Sequence, residues 1–75
     1  MTDVPWRMGD AVLFHSESLG VVLEYIAAGE DIPRIGRALG HDTWHVYWPD
    51  VDEHSFEDRA TMQRMWELAQ RVYAA

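Results

Sequence analysis

The chain reads as a small α+β domain, a small antiparallel sheet of three to five strands over about residues 8–52 packed against one C-terminal helix over about 56–73. Three observations predict it. The run WHVYW, Trp44 to Trp48, alternates with the period of a strand, Trp44, Val46 and Trp48 on one face and His45 with Tyr47 on the other. From Met62 onward, Met65, Trp66, Ala69, Val72 and Tyr73 recur at the three-four spacing of one helical stripe. And 75 residues support a single modest core, because a domain of this size buries only about 60% of the surface its unfolded chain exposes.

Taken in order, GDAVLFH from Gly9 predicts a short strand with Val12 and Phe14 on one face and Ala11, Leu13 and His15 on the other. Ser16 to Leu19 supplies a turn. The run GVVLEYIA, Gly20 to Ala27, is rich in β-branched residues and favours a strand. A helix capped by Ser16 or Ser18 is the rival, since Leu19, Val22, Leu23 and Ile26 also satisfy helical spacing. In GEDIPRIGRALG, Gly29 to Gly40, Asp31 is placed to cap a helical turn or two, Pro33 to sit in its first turn and Gly40 to close it. Pro49 ends the WHVYW strand or confines it to an edge. For the last helix, Ser55 is the predicted N-cap, Glu57 and Asp58 occupy the first turn, and Glu67 with Arg71 form an i,i+4 pair.

Composition narrows the functional classes. Apolar content of 48%, with four tryptophans, excludes a disordered acidic tail. With no cysteine, neither a disulfide framework nor a thiolate metal site is available. The sequence has no signal-peptide pattern and no apolar run of about 20 residues, which predicts a cytoplasmic protein that does not enter a membrane. Thirteen acids stand against six arginines and no lysine, a formal charge of −7 that repels nucleic acid and anionic lipid and suits a basic protein partner.

The charge is concentrated. Between Gly40 and Asp58 the sequence GHDTWHVYWPDVDEHSFED carries six acids, three histidines and no lysine or arginine. His41, His45 and His54 with Asp42, Asp50 and Asp52 are ligand types for a transition metal, but His41 and His45 converge only on a helical turn, and His45 belongs to a strand. No metal or cofactor is expected. With no activated nucleophile and no phosphate-cradling glycine loop, the protein is not expected to be an enzyme. Alternation along WHVYW places either Trp44 with Trp48, or His45 with Tyr47, outward. Aromatics beside Asp50, Asp52 and Glu53 then have the character of an interface, anchors ringed by charge.

Three family resemblances follow from these residues. The run from Gly29 to His41 looks like the GxDIxxIxxxLGH box of tyrosine recombinases, with Tyr47 in a nucleophile's place. The arginines such chemistry needs are missing, Phe14 stands where one should precede His15, and the gap from His41 to Tyr47 is short, so phosphoryl transfer has no charge stabilisation. Gly9-Asp10-Ala11-Val12, Gly20-Val21-Val22-Leu23-Glu24 and Val46-Tyr47-Trp48 resemble the strands of small SH3-like barrels, which implies a curved sheet and an interaction module or accessory phage structural protein gripping a peptide with Tyr47 and Trp48. The long C-terminal helix departs from that family. In size and composition the whole chain is similar to phage-encoded anti-CRISPR proteins. That resemblance implies a monomer binding the basic DNA-binding surface of a CRISPR effector, above all the backbone subunit of a type I surveillance complex (Cascade), without touching nucleic acid itself. On that reading the partner-binding residues are Glu30, Asp31, Asp42, Asp50, Asp52, Glu53, Glu57 and Asp58, with Tyr47 and Trp48. Asp50 and Asp52, if extended, project to one side about 6.5 Å apart.

Overall fold

The computed structural model describes residues 3–15 and 17–73. It is an α+β fold with strands β1 (Ala11–Phe14), β2 (Ser18–Ile26), β3 (Asp31–Ile32), β4 (Arg37–Ala38), β5 (Thr43–Trp48) and β6 (Glu53–Glu57), followed by helix α1 (Arg59–Tyr73). Four strands form one antiparallel sheet in the order β1-β2-β5-β6, and β3 with β4 form a separate two-stranded arm. No pairing joins β6 to β1 among the described residues, so the sheet is not a closed barrel.

Residues 20–26 lie in β2, as their β-branched run favours, and not in a helix; Ala27 falls just beyond the strand. The predicted turn is shorter than Ser16–Leu19, because β2 already begins at Ser18 and pairs it with Phe14; Ser16 lies outside the described residues. Residues 29–40 are not helical. Pro33 fixes the second position of a turn in which Ile32 C=O accepts from the Ile35 and Gly36 N–H groups, and Gly36 at φ 72° takes the left-handed conformation that closes it. Asp31 therefore starts a strand, paired with Ala38, and caps no helix.

β5 behaves as its alternation predicts. Trp44, Val46 and Trp48 are buried on the inner face, with His45 and Tyr47 half-buried on the outer one. Pro49 ends the strand by opening a turn in which Val51 N–H reaches Trp48 C=O at 3.4 Å, and Asp52 completes it at φ 51°. Asp50 and Asp52 thus sit in a turn, not in an extended run. Beyond it lies β6, a strand absent from the predicted elements. It pairs Glu53 with Trp48, Ser55 with Val46 and Glu57 with Trp44.

Because Ser55 is held in β6, it cannot cap the helix. Asp58 does so instead, its Oδ1 accepting from Thr61 N–H at 2.8 Å while its C=O accepts from Met62 N–H. That bond holds the Asp58 carboxyl below its ordinary pKa of 3.8. Glu57 likewise closes β6 and does not enter the helix.

The core gathers Val12, Val22 and Val46 from three adjacent strands with Trp6, Trp44, Trp48, Met62 and Met65. Each such side chain, buried, contributes about 1.5–3 kcal/mol. Trp6, from the segment before β1, meets Trp44 edge-on at 5.2 Å. Trp66 packs on this cluster half-buried, and the stripe ends at Ala69: Val72 and Tyr73 are 49% and 59% exposed. Glu67 accepts from Gln63 Nε2 at 2.9 Å and forms no pair with Arg71. Gly20 is required where it lies, since a Cβ there would stand 2.8 Å from the Trp48 ring and from Val46.

Candidate interaction surface

The two faces of the β5–β6 hairpin carry different chemistry. On the outer face a one-residue irregularity in β2 between Val22 and Glu24 leaves Leu23 without a partner and sets Glu24 opposite His45. His45 Nδ1 then stands 3.6 Å from Glu24 Oε1, while its Nε2 shares a 2.7 Å hydrogen bond with His54 Nδ1. That bond holds only while at least one ring is neutral. Burial pushes the His45 pKa below 6.5; the nearby Glu24 carboxylate pulls the other way, and His54 and Arg34 add to the lowering. Phe56 stacks on the His45 ring at 4.7 Å. Next to this chain, Tyr47 Oη donates to Asp52 Oδ1 at 2.7 Å, a bond that raises the phenol pKa above 10. Polar groups on this face satisfy one another.

The predicted partner-binding acids divide the same way. Glu30 accepts from Ala27 N–H at 3.0 Å and Asp42 from Ala28 N–H at 3.1 Å, so both fasten the base of the β3–β4 arm. Asp52 holds Tyr47, and Asp58 caps the helix. Asp31 is exposed on the arm and does not border the groove. By contrast, the side chains of Asp50, Glu53 and Glu57 have no hydrogen bond or ion pair among the described residues, and all three border one groove.

This groove, of about 250 Å³, runs between Phe14 at the end of β1 and the length of β6. Direct pairing puts Glu53, Ser55 and Glu57 on the same face as Trp48, Val46 and Trp44. Trp48 is 8% exposed and anchored by its indole N–H, which donates to Ser55 Oγ at 2.7 Å. Its ring meets Phe14 edge-on at 6.3 Å, and Phe14 and Val51 are themselves 51% and 59% exposed. Trp48 and Tyr47 point to opposite faces, so only Trp48 borders the groove. Phe14, Val51 and the pairing of the histidines were not anticipated from sequence. Val51, set between Asp50 and Asp52, was the one signal in the sequence for the groove; nothing local signalled the irregularity in β2.

His41 takes no part, its Nδ1 lying 3.2 Å from the Thr43 hydroxyl. Among the described residues no group of three or more histidine or acidic side chains is placed to hold a metal ion. No helix among them is long and apolar enough to cross a membrane. Neither a family model, nor a curated protein, nor a solved structure matches the chain.

Proposed function

We propose that this protein is a non-enzymatic binding protein that docks through Asp50, Glu53 and Glu57 onto a basic, phosphate-binding surface of another protein. In its sharpest form it is a phage-encoded inhibitor acting in the bacterial cytoplasm. There it covers target-DNA sites on a type I CRISPR surveillance complex, with the backbone subunit of Cascade as the seat. The observation that carries the reading is the set of three carboxylates without intramolecular partners around an aromatic-floored groove. Carboxylates already bonded inside the molecule are oriented by those bonds and have part of their accepting capacity taken up, whereas these keep all of theirs for a partner.

A DNA-binding channel is lined by lysine and arginine that neutralise phosphates. A chain of formal charge −7 and no lysine competes for such a channel and is not itself drawn to DNA. Phe14 and Val51 supply the desolvated contact that charge alone does not give. The test is capture of type I surveillance complexes by the purified chain across a salt series, with target-DNA loading measured in parallel. Salt-sensitive capture that blocks loading, lost in a D50K/E53K/E57K chain, is the expected result. Undiminished capture by that variant rules out the acidic face.

A further inference from the structure

We infer that the groove between β1 and β6 takes an extended segment of the partner laid along β6, with one arginine guanidinium on Glu53 against Phe14 and the rim of Trp48 and a second on Glu57. The inference rests on the acidic docking reading and names the form of what docks. Its first support is topology. As the last strand of the order β1-β2-β5-β6, β6 has one flank unpaired among the described residues, and an edge strand's free N–H and C=O groups template a further strand. Natural edges are commonly guarded by lysine or proline. Here neither stands within Glu53–Glu57, and the guarding charge is negative, which repels a second acidic copy and admits a basic strand.

The second support is the chemistry of the lining. A planar guanidinium stacks on aromatic faces and forks onto carboxylates, whereas an ammonium is a compact, strongly hydrated point charge. The groove offers both elements, exposed Phe14 beside Trp48 and carboxylates on either side, and its lining holds no arginine of its own. His54, the one ionisable base in the lining among the described residues, is engaged with His45. At about 250 Å³ the groove lies below the roughly 300 Å³ at which pockets for drug-sized ligands begin, and suits one or two side chains. Glu53, Ser55 and Glu57 alternate along one face, so the matching segment carries arginines four residues apart, about 13 Å in an extended chain, with a small polar residue between them.

The probe is the peptide acetyl-Arg-Val-Thr-Val-Arg-amide, titrated into the full chain, with amide and indole N–H resonances followed by NMR. Controls replace both arginines by lysine or by citrulline. Saturable shifts at β6 and at the Trp48 indole are expected, with the lysine peptide about fivefold weaker and the citrulline peptide silent. A D50N/E53Q/E57Q chain should bind the arginine peptide about tenfold more weakly while its remaining spectrum is unchanged. Equal response to arginine and citrulline, or shifts confined to other elements, overturns the proposal. So does concentration-dependent dimerisation abolished by the same substitutions, which assigns the edge to a second copy. If the peptide leaves β6 untouched while D50N/E53Q/E57Q still abolishes salt-sensitive capture of the surveillance complex, the extended segment is wrong and the acidic face stands. If neither peptide nor complex responds to the substitutions, both readings fall.

Discussion

The outer and inner faces of the β5–β6 hairpin hold similar residue types and use them in opposite ways. Outside, Glu24, His45 and His54 form a chain of contacts, and Tyr47 is bonded to Asp52. Inside, at the edge, Glu53 stands opposite Trp48 and Glu57 opposite Trp44, with no partner for either carboxylate among the described residues. The difference teaches that the density of charge in a sequence does not locate a docking surface. What locates it is charge that folding leaves unspent, next to apolar surface that folding leaves uncovered.

The sharpest break in this comparison is Trp48→Ala, which removes the groove's floor and a core ring together. It should cost about 3–5 kcal/mol, measured by urea denaturation, a large share of a small domain's stability. An effect under about 1 kcal/mol would mean the inner face is not the packed one. Next comes Asp58→Ala, an acid grouped with the docking residues by sequence but spent on the helix. Its loss should cost about 1 kcal/mol and leave partner binding intact. Because the folded pKa of Asp58 is depressed, its contribution is present above pH 3.8 and is lost as pH falls below it, so the variant should also lack that step.

Acidity tests the outer face more gently. The folded pKa of His45 is lowered, so below about pH 6.5 the unfolded chain takes up a proton that the folded chain resists. Stability should therefore decline as pH drops from 6.5 toward the folded pKa, and His45→Gln should flatten that decline in thermal melts read at several pH values. A slope unchanged in the variant would remove His45 from the account. The smallest expected effect is on the inner edge: D50N/E53Q/E57Q should leave stability within about 0.5 kcal/mol of the parent, since these groups hold nothing inside the molecule. A loss much larger than that would show the carboxylates to be structural and dissolve the contrast between the faces.

Much of the architecture was legible. WHVYW announced which of its residues share a face, though not which face is buried, and the Met62, Met65 and Ala69 spacing announced a helix, because strand and helix periods act on local sequence. EHSFE was not legible as a strand: one apolar residue among polar ones leaves no hydrophobic alternation, and β6 exists because the turn after Pro49 returns the chain against β5. That return also moved the cap from Ser55 to Asp58 and sorted the acids into bonded and unbonded. The arm at residues 29–40 departs from the helical turn its sequence suggests for a related reason. Proline and glycine at those spacings suit a helix end and a tight turn alike, and the pairing of Asp31 with Ala38 decides between them.

By itself, then, the sequence determined that this chain folds as an α+β domain without cysteines, that Trp44, Val46 and Trp48 share a face, and that the surface is strongly anionic. Those follow from composition and from periods of two and 3.6 residues, which need no distant partner. Only the tertiary structure decided which carboxylates are free, that Glu24 meets His45 through the irregularity at Leu23, and that Phe14 and β6 flank one groove. The physical reason is range: hydrogen bonds and ion pairs depend on atoms a few ångströms apart that lie many residues apart in the chain.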